Sequence, residues 1–399
     1  MNRAILILVL MVSSGHALVH IFESAYPSVE QIIGQQFSVD KLTLGWLGTC
    51  WRVPFGAFAL IAGWLTDRYG ARRTLVAYLF GCSAMAVCAS LTSQFDSLFV
   101  MFFMMGMFAS IYHPAGLALI SHVVPRSHLP RALGIHGIFG SIGIGGGPLL
   151  AAIVLSCGIG WRGYFMFLAI PGALLGGLFL FSLKDGHHRP DDDTTDVPED
   201  SKTEHKFLAV EYTIALFIAA FSGFVYAGII NFLPRYLSDI NLMSGDIPKA
   251  GMRNLLTAGV LILGVIGQST SGWFARPHTL ERWLSLILFA VAPCLLAMGI
   301  AQGAWKIVAA GAFSVVYFMS QPVYNSLIPK YVPARRRSLG YGLNFSVTFG
   351  LGAFGAAFSG WASSQWVNFG VLALCSTLAG CLAVVLWWRA QYGKPAISL

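Results

Sequence analysis

The chain has 399 residues, of which 56% are hydrophobic and only 11% charged. Soluble domains carry about 25% charged residues, so this chain cannot cover the polar surfaces that two or three such domains need. A soluble enzyme, a nucleic-acid-binding module and a disordered scaffold are disfavoured together, and the composition reads as an all-α polytopic membrane protein. The formal charge of +8 is spread through short gaps between apolar runs, as in cytoplasmic loops under the positive-inside rule. The seven cysteines fall within apolar segments and show no C-x-x-C spacing, so neither a disulfide framework nor a zinc site is indicated.

A helix needs ~20 apolar residues to cross a bilayer. Twelve spans are expected, near 4–33, 42–66, 74–92, 97–123, 131–157, 161–183, 208–238, 250–275, 280–300, 303–328, 337–363 and 366–389. The first span resembles a signal peptide at Asn2-Arg3 and Ser13-Ser14-Gly15-His16-Ala17. Its apolar pattern continues past Ala17, so it is read as a retained helix. The N-terminus, alternate loops and C-terminus hold most of the 25 Lys and Arg, which places both termini in the cytoplasm.

The segment from Lys184 to Lys206 is polar and aperiodic and contains Asp191-Asp192-Asp193, Asp196, Glu199, Asp200 and Glu204. It reads as a solvated linker. The expected organisation is an N-terminal six-helix bundle (1–183), a cytoplasmic acidic linker (184–207) and a C-terminal six-helix bundle (208–399).

The halves repeat one another. Gly63-Trp64 matches Gly272-Trp273, Pro114 and Pro125 match Pro322 and Pro333, and Arg131-Ala-Leu-Gly134 matches Arg337-Ser-Leu-Gly340. Internal duplication of this kind marks secondary transporters, whose sites lie at the repeat interface near the midplane.

On these residues the chain resembles the major facilitator superfamily over its whole length. Gly63-Trp64-Leu65-Thr66-Asp67-Arg68-Tyr69-Gly70-Ala71-Arg72-Arg73 is similar to the family's loop 2–3 motif. The likeness implies a conformational latch built from Gly63, Asp67, Arg68, Gly70, Arg72 and Arg73. The second copy has Arg276 in place of the aspartate, so the expected latch is asymmetric.

Gly134-x8-Gly143-x3-Gly147-Pro148 resembles the family's antiporter motif, with Ala151-Ala152 where glycines are usual. Small residues permit close helix crossing, and Pro148 can kink its helix. The Arg-x-x-x-Gly usual in span 4 is absent, which separates this chain from the drug exporters' proton mechanism. Tyr112-His113-Pro114-Ala115-Gly116, Arg131-Ala132-Leu133-Gly134-Ile135-His136-Gly137 and Gly160-Trp161-Arg162 resemble the branch around the fosmidomycin-resistance exporters.

Polar groups inside spans are the candidate functional residues, because a buried ionisable group costs at least ~2.5–3.5 kcal/mol and faces a cavity or partner. Glu23 is read as the one carboxylate well inside a span. At ~100° per residue, His16, His20 and Glu23 fall within ~60° of one another and form one stripe on helix 1. Pro27, on the same side, is expected to loosen the helix beyond Glu23. Arg52 lies ~15 Å into span 2, near the midplane. His113 and His136 sit well within spans 4 and 5, and the second half offers Tyr226, Asn231, Tyr317, Gln321, Tyr324, Asn325 and Asn344. The family resemblance implies that spans 1, 4, 7 and 10 line the cavity.

Three readings of the stripe stand open. Glu23 with His16, His20 or His113 carries a coupling proton, since histidine titrates near ambient pH, while Arg52, His113, His136 and the second-half groups bind substrate. Alternatively His16, His20 and Glu23 ligate a transition metal, or the histidines only bond between helices. The expected function is a secondary transporter working by alternating access. It would be an H+-coupled antiporter exporting a small polar or anionic organic molecule or drug, in a bacterial inner membrane, as a monomer. No other cofactor and no nucleic-acid partner is expected. The alternatives are a transporter of a transition-metal ion or chelate and a non-transporting receptor or assembly factor on the same fold. No nucleophile elbow, P-loop or H-E-x-x-H segment is present, so no enzyme is expected.

Overall fold

The computed structural model describes residues 3–125, 128–182, 207–240, 249–276, 278–333 and 337–392. Linker residues 184–206 and the loop cations Arg126, Arg335 and Arg336 lie outside these ranges.

The described residues form α-helices without strands: α1 (Arg3–Phe37), α2 (Lys41–Ala57), α3 (Ala59–Tyr69), α4 (Ala71–Leu91), α5 (Phe95–Ala109), α6 (Tyr112–Val123), α7 (Leu129–Ser156) and α8 (Trp161–Ser182) in the first half. The second half holds α9 (Ala209–Tyr236), α10 (Lys249–Ile262), α11 (Gly264–Phe274), α12 (Leu280–Ile300), α13 (Trp305–Tyr331), α14 (Arg337–Phe345), α15 (Phe354–Trp361) and α16 (Gln365–Tyr392). A π-helical segment, Ser346–Leu351, joins α14 to α15. Among the described residues, ten spans are long and apolar enough to cross a membrane: eight single helices and the runs α5–α6 (Phe95–Ser121) and α10–α11 (Lys249–Ser271); the bent pair α2–α3 supplies an eleventh. The broken run α14–π–α15 occupies the twelfth place. An even number of crossings puts both chain ends on one face, here the termini face; its opposite is the far face.

Local sequence explains where helices start, break and turn. Asp40 caps α2 by accepting from the Thr43 N–H at 2.8 Å. Pro54 lacks the N–H that would bond one turn back, and a 46° bend follows between α2 and α3. Gly70 joins α3 to α4 at φ +85°, a conformation that favours glycine, which accounts physically for its place in the loop 2–3 motif. Pro27 and Pro148 both lie inside continuous helices. Around Pro27 the Ser24 and Ser28 hydroxyls donate one turn back, to the His20 and Ser24 carbonyls, each at 2.8 Å.

The repeat is faithful in places only. Spans 2 and 8 both break near mid-depth, at Phe58 and Leu263. Span 4 breaks at Ser110-Ile111 while its counterpart α13 is continuous, and span 5 is continuous while its counterpart contains the π segment. Two buried apolar cores serve the first half, a large one from Leu18 to Phe179 and a small one of Val9, Val12, Ile120, Val124 and Ala132, and two more serve the second half, one of them joined by Ile144 of α7.

Glycines set the closest helix approaches. A Cβ on Gly143 of α7 would lie 2.3 Å from the Ala17 carbonyl oxygen of α1, and one on Gly147 would lie 1.9 Å from Ser24 Oγ. A Cβ on Gly140 would meet the His16 ring at 2.4 Å. The antiporter-like motif therefore works as a seat for α1, and Gly134, with nothing within 4 Å, is outside that seat. Gly56 of α2 abuts the backbone of Gly350 across the two halves, and Gly223 of α9 abuts Thr348.

On the far face the halves are tied by polar contacts. Arg235 Nε and Nη2 donate to Glu30 Oε1 and Oε2 at 2.7 and 2.8 Å. Arg253 donates to Gln31 at 2.6 Å, and Asn254 donates to the Ser28 carbonyl at 2.9 Å. Glu30 is 1% exposed. This corrects the expectation that Glu23 is the one carboxylate deep in a span.

Backbone contact at Gly143 cannot be relieved by a rotamer change. Gly143→Ala should therefore lose about 1–3 kcal/mol through overpacking, whereas Gly134→Ala should be neutral or gain up to ~1 kcal/mol of helix propensity. Thermal unfolding of the two purified variants in one detergent checks this; equal midpoints would contradict the proposed seat for α1.

Candidate functional site

Helix α1 runs between the halves, and its polar stripe lies mid-depth among α2, α6, α7, α9 and α13. His20 Nδ1 hydrogen-bonds Glu23 Oε2 at 2.8 Å, one turn along the helix. Arg52, from α2, brings Nη2 to 3.7 Å from Glu23 Oε1. Glu23 and Arg52 are 3% and 1% exposed, so this ion pair is wholly inside the protein. It is also under-bonded: Glu23 Oε1, Arg52 Nε and Arg52 Nη2 are buried without a hydrogen-bond partner. Buried polar groups are normally satisfied, and an incompletely bonded ion pair is where a polar ligand or a proton has most to gain.

The histidines gather on the termini side of this pair. Ring centroids lie 4.0 Å apart for His16–His136, 5.0 Å for His16–His20, 5.2 Å for His16–His113 and 5.8 Å for His20–His113. His16 Nδ1 lies 2.8 Å from the His136 carbonyl oxygen. A carbonyl can only accept, so this nitrogen carries the proton. Tyr112 donates its hydroxyl to the Val12 carbonyl at 2.7 Å and lies 3.0 Å from His136 Nε2. His113 Nε2 is buried and has no hydrogen-bond partner.

Tyr226 and Tyr317 supply the second half's contribution. Their rings stack at 6.1 Å, and both lie within electrostatic reach of Glu23. Phe345, just before the π segment, and Phe349, within it, meet Phe55 of α2 at 5.1 and 5.3 Å, and Phe345 lies 4.8 Å from His113. An aromatic patch thus spans the bundle interface next to the histidines. Local π-helical winding recurs at functional sites because it re-aims side chains.

Of the residues singled out from sequence, His16, His20, Glu23, Arg52, His113, His136, Tyr226 and Tyr317 converge here. Asn231 is buried nearby on α9; its side chain presses on Gly48 of α2, and both of its polar atoms lack a partner. Gln321 lies apart, accepting from Gln268, which itself accepts from Ser141 of α7 at 2.6 Å. Tyr324 bonds Asn344 and the Ala215 carbonyl, and Asn325 is exposed with its carbonyl facing Tyr341. These three do not join the cluster; they form a separate network on α9, α13 and α14.

In the loop 2–3 motif, Asp67 is exposed and makes no ion pair among the described residues. Arg72 donates to the Leu180 carbonyl at the end of α8, and Arg68 lies over the Trp64 and Tyr69 rings. Sequence reasoning missed Tyr112, Gln268 and Glu30. Tyr112 adjoins His113 within a quoted motif, and Glu30 sits one turn past Tyr26 on the same helix as the stripe. Gln268 carried no signal.

Residues 12–357 match the sequence model of the Major Facilitator Superfamily. The chain belongs to this superfamily of membrane transporters. It is a multi-pass integral membrane protein, and neither its fold nor its relatives are those of an enzyme. In fold it is similar to a bacterial homologue of the human lysosomal transporter Spinster in an inward-facing, unoccupied conformation, with a TM-score of 0.76, 15% identity and 100% of both chains covered. Among curated relatives, the probable actinorhodin transporter of Streptomyces coelicolor is 29% identical over 162 residues, 39% of this chain and 27% of that protein. This chain thus spans little more than a quarter of that relative's length. The hexuronate transporter of Bacillus subtilis is 23% identical over 91% of both chains. The Na+, Li+, K+/H+ antiporter of Planococcus maritimus is 23% identical over 85% of this chain and 86% of its own.

Removing one member of a buried ion pair strands the other, at a cost of about 3–5 kcal/mol, whereas replacing both is often neutral. Arg52→Met should therefore lower the thermal midpoint more than the double variant Glu23→Gln/Arg52→Met. A double variant no more stable than the single one would show that the two groups are energetically uncoupled.

Proposed function

We propose that this transporter is a proton-coupled antiporter that exports a small polar or anionic organic molecule by alternating access. It would act as a monomer in a bacterial cytoplasmic membrane, with both termini in the cytoplasm. The observation that carries this reading is the His20–Glu23–Arg52 array, buried between the halves with its bonding capacity incompletely used.

The array suits exchange. Ionised Glu23 accepts hydrogen bonds from a hydroxyl or amine of a substrate, while Arg52 takes its anionic group. A proton on Glu23 removes the negative charge and turns one acceptor oxygen into a donor, so substrate and proton compete for the carboxylate and travel in opposite directions. His20, bonded to Glu23, is placed to pass that proton along helix α1 toward His16 and His113. The far-face contacts from Glu30, Gln31 and Ser28 to Arg235, Arg253 and Asn254 are of the kind that break and re-form as two bundles rock. The names of the relatives support antiport and an anionic cargo separately: a cation/proton antiporter and a hexuronate transporter. Positive charge concentrated in alternate loops supports the orientation.

Proteoliposomes loaded with a pH-reporting dye test the reading, with glucuronate and fosmidomycin as the first probes. Addition of a transported probe should drive proton movement opposite to the probe, and Glu23→Gln should abolish it. Proton movement in the same direction as the probe, or equal flux in Glu23→Gln, would overturn the assignment.

A further inference from the structure

Three histidines at the site have a geometry that proton handling alone does not require. One ring nitrogen from each of His16, His20 and His113 lies within 4.8 Å of the other two. The three side chains come from two elements, α1 and α6, brought together by packing across the break at Ser110-Ile111.

The hydrogen bonds fix which nitrogens are free. His16 uses Nδ1–H on the His136 carbonyl, and His20 uses Nδ1 on the Glu23 carboxylate. Each neutral ring then holds its remaining lone pair on Nε2. His113 Nε2 is buried and unpartnered. A histidine that ligates a metal donates its other ring N–H to a carboxylate or a backbone carbonyl, which sets the tautomer and raises ligand basicity. His20 and His16 show one of each arrangement.

We propose that His16, His20 and His113 form a three-imidazole site for a borderline transition-metal dication of the Zn2+ class. All-imidazole donors suit Zn2+, Co2+, Ni2+ and Cu2+, whereas Mg2+ and Ca2+ demand oxygen ligands. Tetrahedral coordination at ~2.0–2.1 Å separates ligand nitrogens by roughly 3.3 Å. The ring nitrogens therefore need to draw together by at most about 1.5 Å, within the reach of side-chain rotations. Three protein ligands leave a fourth position, as at sites where a metal binds a further molecule. The Glu23 carboxylate beside His20 offsets part of the ion's charge, and Arg52 approaches the other oxygen of that carboxylate. The proposal stands apart from the antiport reading, because it concerns binding and is measured without a gradient or a substrate.

Titration of the purified full-length protein with Co2+ tests it. One tightly held ion per chain with the intense visible absorption of tetrahedral Co2+ is expected, displaced by Zn2+. His113→Ala and His16→Gln should each lose that ion, while His278→Ala, which alters an exposed histidine away from the cluster, should keep it. Glu23→Gln leaves all three ligands and should weaken binding about 10-fold or more through loss of the partner carboxylate. Should a cluster variant fail to fold, the unaltered protein still decides the matter. Zn2+ should protect His16, His20 and His113 from histidine-acylating reagent, read by mass spectrometry, and leave His278 unprotected. Octahedral Co2+ spectra only, an unchanged stoichiometry in both folded cluster variants, or equal acylation with and without Zn2+ would overturn the site.

Discussion

A carboxylate in the middle of a hydrocarbon layer must be compensated, and Glu23 is the point on which the interior of this protein is organised. His20 bonds one of its oxygens and Arg52 approaches the other without closing a hydrogen bond. Desolvating such a pair is costly, so the helices around it are constrained to stay close and to keep water and lipid away. Tyr226 and Tyr317 bring the second half to the same carboxylate. The site therefore belongs to both bundles, and it changes when they move relative to each other.

Helix α1 carries this arrangement because it is both the functional stripe and a packed axis. Its termini-face half presents His16 and His20, its middle presents Glu23, and its far-face half presents Glu30 to Arg235. Gly143 and Gly147 of α7 set its depth, and Gly140 leaves room for the His16 ring to stack on His136. Two glycines of the antiporter-like motif thus seat α1, and Gly140 between them and Gly134 accommodates a ring of the histidine cluster. A larger residue at Gly140 would compete directly with the His16 ring.

Much of the architecture was legible in the chain before its structure. Long apolar runs delimit the helices, since each must satisfy its own backbone within lipid. Gly70, quoted within the loop 2–3 motif, sits at a positive φ that favours glycine. Other features were not legible. That α1 and α7 run on through Pro27 and Pro148 cannot be read from the local sequence, since a proline inside a helix removes one backbone donor. Tyr324, Asn325 and Asn344 have the composition of cavity residues yet face a separate network, since helix rotation depends on what each helix packs against.

What the sequence determined by itself is local: hydropathy, helical period, the half-to-half repeat and the identity of the polar groups within spans. Those follow from a bilayer acting on each segment separately, so a stripe such as His16, His20 and Glu23 can be read along one helix. What the tertiary structure decided is which polar groups meet. Arg52 reaches Glu23, His113 and His136 reach His16, and Glu30 meets Arg235 from the other half of the chain. These contacts are set by glycine seams and helix rotations that no single segment contains, and they turn scattered polar residues into one site.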